Sequence, residues 1–142
     1  MRLLAVLAAT GAVLVLAAPS MGAGRPTVGA HASSYGTILF DGRGFVLYAF
    51  THDAPGRSRC SGDCAKAWPP YLVHTRPAAR AGAAGRLLGT IRRSDGTTQV
   101  TYAGRPLYYY IGDRKAGQIL CQNVTEFGGT WLVVRPSGKL VR

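Results

Sequence analysis

After residue 36, hydrophobic and polar positions alternate in short runs rich in β-branched and aromatic residues, and Gly-containing turns separate these runs. The period of two predicts β-strands, and no segment beyond the N-terminal apolar run carries a 3.6-residue apolar stripe. The predicted strands are TILF (37–40), FVLYAF (45–50), LLGTIRR (87–93), TTQVTYA (97–103), RPLYYYI (105–111), TWLVVR (130–135) and KLVR (139–142). One short helical turn is predicted near GDCAKAW (62–68). The pattern therefore predicts an all-β fold of short antiparallel strands.

The strand pattern occurs twice along the chain. LYAFTHD (47–53) and LYYYIGD (107–113) both read Leu-Tyr-x-aromatic-x-x-Asp. With small insertions, this alignment extends to further pairs: Gly44 with Gly104, Gly56 with Gly117, Cys60 with Cys121, and Trp68 with Trp131. Each half therefore consists of a hairpin, an acidic loop and a Trp-led strand.

The two halves are predicted to form one domain, residues 36–142. A half of about 40 residues buries too little apolar surface to fold alone. We therefore expect two tandem pseudo-repeats, about 36–75 and 87–142, to pack with pseudo-twofold symmetry into one small sandwich- or barrel-like domain. The basic segment 76–86 between them is predicted to be a flexible connector.

The repeated motif consists of aromatic residues followed by an acid: Tyr48, Phe50 and Asp53 in the first copy, and Tyr108, Tyr110 and Asp113 in the second. Strand alternation places the two aromatic positions of each copy on one face, opposite Leu47 and Ala49 in the first repeat. The Asp comes where the strand should end, and it can cap loop N–H groups or accept a Tyr hydroxyl. We favour this structural role over a ligand face on which exposed aromatics stack on sugars or flat ligands.

The sequence resembles the bacterial secreted-repeat family with the Yx(FWY)xxD motif. The resemblance rests on ILFDGRGFVLYAFTHDAPGRSRCSGDCAKAWPP, LGTIRRSDGTTQVTYAGRPLYYYIGD and FGGTWLVVRPSGK, and it covers nearly all of residues 36–139. Cys60, Cys64 and the Trp68-Pro69-Pro70 run match the family's C-x-G-x-C and WPP elements. The resemblance implies export and a tandem-repeat architecture, and it implies no reaction. Some members are lipoproteins, but this sequence lacks a lipid-attachment Cys, so it is not expected to be one.

The first residues have the layout of a secretory signal peptide. Arg2 precedes an apolar run of sixteen residues, 3–18, and small residues follow. The run is shorter than the roughly 20 residues of a membrane span, so no transmembrane span is expected in the mature form, and an uncleaved anchor is the alternative. Cleavage after residue 20, 22 or 32 fits the small-residue rule, and residues 23–35 are predicted to be a flexible lead-in.

The charge of the chain bears on its partners. Without residues 1–32, fifteen basic and six acidic side chains remain, a net charge of +9. Basic charge on an exported protein favours anionic envelope polymers or lipid headgroups, although it can also serve solubility alone. Nucleic acid is not the expected partner because aromatic residues are poorly interleaved with the basic ones. The arginines that could contact phosphates are Arg76, Arg80, Arg86, Arg92 and Arg93.

The three cysteines allow a disulfide or a metal site. In an oxidising compartment Cys60 and Cys64 are the candidate disulfide, and a bond from the first repeat to Cys121 is the alternative. Either pairing leaves one cysteine without a disulfide partner. A zinc site would use all three cysteines with His52 or His74. The sequence indicates no other cofactor.

Groupings that could carry catalysis are few. His52 and Asp53 are neighbours in an extended segment and should point apart, and no G-x-S-x-G or phosphate-binding Gly-rich loop occurs. The predicted function is an exported, non-catalytic β-repeat protein of the cell envelope or extracellular space that binds or scaffolds anionic envelope components. The alternatives are a metal- or redox-linked extracytoplasmic protein, and a small hydrolase with His52 or His74 beside a carboxylate in a pocket.

Overall fold

The structure is a computed structural model that describes residues 24–142. In chain order its strands are β1 (Thr27–Ser33), β2 (Gly36–Asp41), β3 (Tyr48–Phe50), β4 (Ala78–Ala79), β5 (Leu88–Arg92), β6 (Thr98–Tyr102), β7 (Arg105–Pro106), β8 (Val124–Glu126) and β9 (Gly129–Val133). The helix α1 spans Asp63–Ala67, as the sequence predicts, and a 3₁₀ turn spans Gly85–Leu87. The predicted signal peptide, with cleavage after residue 20 or 22, lies outside the described residues.

The strands form three sheets of three strands each within residues 24–142. Their orders are β2-β1-β4, β3-β9-β8 and β5-β6-β7. Every pair is antiparallel except β1 with β4. The arrangement is sandwich-like, and the described residues form no closed barrel. This confirms the predicted all-β fold of short, mostly antiparallel strands.

The two repeats exchange strands with each other. The motif strand β3 of the first repeat pairs with the Trp-led strand β9 of the second, with Tyr48 opposite Val133. In the equivalent place, the Trp-led segment of the first repeat runs beside the motif of the second, where the Tyr71 N–H donates to the Leu107 carbonyl at 2.9 Å. Each repeat therefore supplies the neighbouring strand that the other lacks.

The centre of this exchange lies between the two motif tyrosines. The Tyr48 N–H donates to the Tyr108 carbonyl, the Tyr108 N–H donates to the Tyr48 carbonyl, and both distances are 2.9 Å. Such a reciprocal pair is the antiparallel arrangement that a twofold axis generates. The repeats thus pack about the pseudo-twofold relation that the sequence predicts.

Strand β3 and the start of the second motif, Leu107 and Tyr108, are buried on both faces. One face contributes to a group of side chains that we call the Trp cluster: Ile38, Phe40, Val46, Tyr48, Phe50, Cys60, Cys64, Trp68, Tyr108, Trp131, Val133 and Val141. The other contributes to the Leu cluster: Val28, Leu39, Leu47, Ala49, Tyr71, Val73, Val100, Tyr102, Leu107 and Val134. The predicted alternation of Tyr48 and Phe50 against Leu47 and Ala49 is confirmed, and the two motif segments lie between the two clusters.

Two stacked indoles occupy the middle of the Trp cluster. The ring centroids of Trp68 and Trp131 lie 4.0 Å apart with nearly parallel planes, at 2°. Phe50 stacks on Trp131 at 4.1 Å, and Tyr110 lies against Trp68 at 4.8 Å. Each Trp therefore contacts the second aromatic residue of the other repeat's motif. Aromatic pairs of this kind contribute about 0.5–1.5 kcal/mol beyond their area burial, so the cluster binds the repeats together.

The prediction of a flexible lead-in at residues 23–35 was wrong, because β1 lies within it. β1 pairs with β2 along its whole length, from Val28 opposite Asp41 to Ser33 opposite Gly36. Val28 is fully buried. The segment gave no strand signal because its other side chains are small or polar, and its pairing rests on main-chain hydrogen bonds.

The prediction of a flexible connector at residues 76–86 was also wrong. β4 extends the first sheet beside β1, and the 3₁₀ turn follows it. The Ala78 N–H donates to the Pro26 carbonyl at 2.9 Å, and the Arg80 N–H donates to the Val28 carbonyl at 2.8 Å. A two-residue parallel strand of alanines is held by main-chain bonds, which its small side chains do not signal.

Other predicted strands are shorter than their sequence runs. In the run 105–111, only Arg105–Pro106 is a strand, and Tyr108 forms isolated bridges to Tyr48 and Pro70. The C-terminal run 139–142 contributes one bridge, between Val134 and Leu140. β8 was not predicted because its three residues include two exposed polar side chains. The exchange between repeats accounts for the isolated bridges, since the motif segment contacts two neighbours over very short lengths.

The role of β1 predicts that the folded protein needs residues before Ser33. A chain beginning at Ser33 loses the burial of Val28, worth about 1.5–3 kcal/mol, together with the β1–β2 hydrogen bonds. We expect its melting temperature to lie well below that of a chain beginning at Ala23, as measured by circular dichroism. Cleavage after Ala32 would produce this shorter chain, so the exported protein is expected to begin upstream of Thr27. Equal melting temperatures for the two chains would show that β1 is dispensable.

Candidate functional site

The hydroxyl of each motif tyrosine hydrogen-bonds to the motif aspartate of the other repeat. The Tyr48 Oη donates to Asp113 Oδ2 at 2.7 Å, and the Tyr108 Oη donates to Asp53 Oδ2 at 2.8 Å. Both tyrosines are fully buried. The spacing that the two motifs share therefore serves contacts between the motifs, because the Tyr and the Asp of one copy bond to the Asp and the Tyr of the other.

The second oxygen of each aspartate holds the loop that follows its own motif. Asp53 Oδ1 accepts the Arg59 N–H at 2.6 Å, and Asp113 Oδ1 accepts the Leu120 N–H at 2.9 Å. The two structural roles considered for the aspartate, loop capping and acceptance of a Tyr hydroxyl, thus occur together. Each carboxylate joins its own loop to the other repeat's core.

Burial sets the protonation behaviour of these groups. It raises the pKa of Asp53 and of Asp113 above the ordinary value of 3.8, and their hydrogen-bond donors offset only part of the increase. Burial, with the adjacent carboxylates, also raises the pKa of Tyr48 and of Tyr108. Both phenols are therefore protonated donors near neutral pH.

At the bond between Tyr108 and Asp53, the hydrogen-bond chain continues past the tyrosine. Ser58 Oγ lies 2.7 Å from Tyr108 Oη, and Arg93 Nη1 donates to Ser58 Oγ at 2.9 Å. Because the proton of Tyr108 is used by Asp53, the Ser58 hydroxyl must donate to the tyrosine oxygen. A directed chain thus runs from Arg93 through Ser58 and Tyr108 to Asp53.

Arg93 is a buried cation that bonds mainly to neutral acceptors. Its side chain donates to Gln99 Oε1 and to the Cys60 carbonyl, each at 2.7 Å, and the residue is 9% exposed. Its Nε has no hydrogen-bond partner among the described residues, and the Asp95 carboxylate, which is largely exposed, lies 3.9 Å away. The guanidinium therefore has one long ion pair, with Asp95, and its hydrogen bonds among the described residues go to neutral acceptors.

Arg93 helps to line a cleft of about 440 Å³ between the first acidic loop and the end of β5. We call it the arginine cleft, and its lining residues are Gly56, Arg57, Ser58, Arg59, Cys60, Ser61, Arg92, Arg93 and Ser94. Four are arginines, and none is an Asp or Glu. Among the clefts found in residues 24–142, this concentration of like charge makes it the candidate functional site.

The second repeat does not reproduce this cleft. Aligning Cys60 with Cys121 places the Arg57-Ser58-Arg59 segment on Gln118-Ile119-Leu120. Ile119 packs against the Trp cluster, and Leu120 is 58% exposed. The two repeats therefore make the same motif contacts, and they differ in the acidic loop that follows each motif. Arg57, Ser58 and Arg59 were not predicted as site residues, although a residue-by-residue comparison of the two copies shows the difference.

The cysteines form the predicted disulfide, between Cys60 and Cys64, and Cys121 is a free, half-buried thiol. The zinc set of three cysteines with His52 or His74 would require this bond to be reduced. Within the part of the chain that the structure describes, no three His, Cys, Asp or Glu side chains are grouped to hold a metal ion. That the protein uses no cofactor, with zinc as the alternative, stays a prediction.

The histidines of the hydrolase alternative lie apart from the arginine cleft. His52 is exposed and its ring lies 5.7 Å from that of Phe50. His74 lines a different cleft, with Arg76 and Thr90 among its neighbours and no carboxylate in its lining. Of the five arginines proposed to contact phosphates, Arg92 and Arg93 line the arginine cleft, and the connector arginines do not.

Comparison with known proteins places the chain in a family of exported repeats. The family model Lipoprotein_15, described as a secreted repeat of unknown function, matches residues 29–71 and 89–135. The chain belongs to this family, and the two matched segments correspond to the two pseudo-repeats. No curated protein and no solved structure matches it. Across residues 24–142, no helix has the length and apolar character needed to cross a membrane.

The exchange of hydrogen bonds between motifs predicts which residues are energetically coupled. Tyr48→Phe combined with Asp113→Ala should show a coupling energy of about 0.5–3 kcal/mol in a double-mutant cycle, because the two side chains bond directly. The matched cycle with Asp53→Ala, the aspartate of the same motif, should be additive within about 0.5 kcal/mol. Urea unfolding at neutral pH measures both cycles. Stronger coupling of Tyr48 to Asp53 than to Asp113 would contradict the exchange.

The raised pKa of Asp113 predicts a sign for the effect of pH. Because the folded state favours the protonated carboxyl, this contribution to stability is fully present below pH 3.8 and is lost as pH rises through the raised folded-state pKa. Asp113→Asn removes the titration. The free energy of unfolding of the wild type minus that of the variant should therefore fall as pH rises from about 3 to 7. A difference that rises over this range would contradict the pKa direction.

Proposed function

We propose that this protein is an exported, non-catalytic β-repeat module that binds an anionic component of the cell envelope. The observation that carries the proposal is the arginine cleft, in which four arginines line one concavity without an acidic residue. Like charges gathered in a cleft with low-dielectric walls focus the electrostatic field and attract counter-ions. A structural salt-bridge network would bring carboxylates to the same place.

The overall charge supports the same partner. Residues 24–142 contain sixteen Lys and Arg side chains and six Asp and Glu side chains, a net charge of +10. Three of the acids, Asp41, Asp53 and Asp113, are engaged by tyrosine hydroxyls and loop N–H groups. Long-range attraction to a polyanion is therefore combined with a local site where the cations are concentrated.

The fold supports a binding role because it holds the cleft arginines on a rigid frame. The loop carrying Arg57 and Arg59 is tied down by Asp53, and its Cys60 is covalently bonded to Cys64. Arg92 ends β5, which pairs with β6. A pre-organised site loses little conformational entropy when it binds.

We further propose that the exported chain is released from its signal peptide without lipid and is retained at the envelope by charge. The family description gives secretion, and the sequence has no Cys near the end of its apolar run. Retention by charge weakens as salt shortens the screening length, from about 10 Å at 0.1 M to about 3 Å at 1 M ionic strength. A covalently lipidated protein would stay with the membrane at either salt concentration.

This proposal predicts salt-sensitive retention that depends on the cleft. Purified protein should sediment with isolated envelope at low ionic strength and be released at about 1 M salt. Arg57→Gln, Arg59→Gln and Arg92→Gln together should abolish sedimentation, since they remove three cations from the site. The matched control changes three exposed arginines outside the cleft, Arg114, Arg135 and Arg142, to Gln, and it should sediment much as the wild type does.

Immunoblotting of pellet and supernatant measures the result, and melting temperatures verify that both variants are folded. Two outcomes would refute the proposal. One is absence of sedimentation at low ionic strength. The other is equal loss of sedimentation in the cleft variant and the control, which would assign retention to net charge alone.

A further inference from the structure

The lining of the arginine cleft contains no aromatic ring. Its side chains are arginines, serines and one disulfide-bonded cysteine, with Gly56 completing the wall. Nucleobases bind single-strand sites by stacking on aromatic side chains, and Tyr or Trp rings give a flat, ring-shaped ligand its apolar contact. This cleft offers a ring-containing ligand no such surface. Its chemistry instead suits a ligand that is hydrophilic and charged along its whole length.

All four cations in the cleft are arginines. The guanidinium group is planar, and it offers paired N–H donors that match two oxygens of an oxyanion. The four arginines lie on two segments of the chain: Arg57 and Arg59 in the acidic loop, and Arg92 and Arg93 at the end of β5. Each unit of a phosphate chain carries a compact PO₂⁻ group, and closely spaced groups along one slender backbone can accept from both segments at once.

The exposed serines of the cleft are also hydrogen-bond donors, as an anionic ligand requires. Ser61 and Ser94 are exposed, and each brings a hydroxyl donor to the lining. Arg93 holds a positive charge at the same cleft with its closest carboxylate 3.9 Å from Nε. An anion in the cleft would therefore meet hydrogen-bond donors and the Arg93 charge, whose ion-pair partner Asp95 is largely exposed and does not line the cleft.

The size of the cleft favours a chain over a single ion. A cleft of about 440 Å³ falls within the range of sites for ligands of several groups, about 300–1,000 Å³. Three exposed arginines are available to contact successive charges: Arg57, Arg59 and Arg92. A ligand with one anionic group would leave most of these cations without a partner.

We propose that the arginine cleft binds a linear phosphate chain whose repeating unit carries neither a sugar ring nor a base. This chemistry is found in inorganic polyphosphate and in polyol phosphodiester polymers. The inference rests on the proposed function, since it names the class of anion that the envelope module binds. Phosphate groups pair with the guanidinium forks, and the slender backbone of the chain passes between them.

The experiment measures binding of four probes to the full exported chain by isothermal titration calorimetry at low salt. Inorganic polyphosphate and poly(glycerol phosphate) represent the two sources of the proposed chemistry. Alginate supplies carboxylates on sugar rings, and poly-glutamate supplies carboxylates without rings, both at the same charge concentration. We expect at least one phosphate polymer to bind about tenfold or more tightly than either carboxylate polymer, and its identity distinguishes the two sources.

Site variants locate the binding. Arg59→Gln and Arg92→Gln should each weaken binding of the preferred phosphate polymer by about tenfold, because each removes a charge-assisted donor pair. Arg114→Gln and Arg135→Gln remove the same charge outside the cleft and should change the affinity by less than about threefold. Melting temperatures of all variants are compared, so that a loss of binding is not confused with a loss of folding.

The outcomes separate this inference from the proposed function. If a carboxylate polymer binds as tightly as the phosphate polymers and the cleft variants lose both, the anion-binding function stands and the phosphate inference is overturned. If the cleft variants and the surface controls bind polyphosphate equally, the cleft is not the site and the inference fails. If no polyanion binds at low salt, the inference and the proposed function fail together.

Discussion

Each motif tyrosine donates its hydroxyl proton to the aspartate of the other repeat, and this reciprocal bond is the constraint on which the rest of the structure depends. Tyr48 and Tyr108 are fully buried, so each hydroxyl needs an acceptor within the core, and leaving one unsatisfied costs about 1–3 kcal/mol. The Asp113 carboxylate is likewise taken out of water, as its raised pKa reflects. A single repeat could bury its tyrosine only without a partner. The main-chain exchange between Tyr48 and Tyr108 and the stacked Trp68–Trp131 pair add to this interdependence, so we expect the two repeats to fold as one unit.

The same carboxylates explain why the two acidic loops could diverge. Asp53 and Asp113 hold their loops through the main-chain N–H of Arg59 and Leu120, a bond that any residue except Pro can make. The loop backbone is therefore fixed whatever the side chains are. One loop carries arginines around the cleft, and its counterpart carries exposed or core-packed aliphatic residues. A symmetric frame thus supports an asymmetric surface, and the asymmetry identifies the candidate site.

The cleft and the core share one hydrogen-bond chain. Arg93 is bonded to Ser58, which reaches Asp53 through Tyr108. Burying a guanidinium is costly unless its donors are used, and here Gln99 and the Cys60 carbonyl accept from it without cancelling its charge. The positive charge therefore remains available at the cleft. Its ion pair with the largely exposed Asp95 is long, at 3.9 Å, and three hydrogen bonds link the guanidinium to the Asp53 carboxylate of the motif. This arrangement links the repeat motif, which has a structural role, to the charge that we assign to binding.

The sequence by itself determined the local features of this protein. Period-two alternation, Gly-containing turns, the repeated motif and the close pair Cys60 and Cys64 are properties of neighbouring residues, and they were sufficient to predict an all-β two-repeat fold with a disulfide. Only the tertiary structure decided that Tyr48 meets Asp113 rather than Asp53, because those partners lie 65 positions apart and meet only when the repeats exchange strands. It also decided that β1 and β4 are strands, since main-chain pairing needs no side-chain pattern. The tertiary structure likewise decided the arginine cleft, because Arg59 and Arg92 come together only when the first acidic loop packs beside the end of β5.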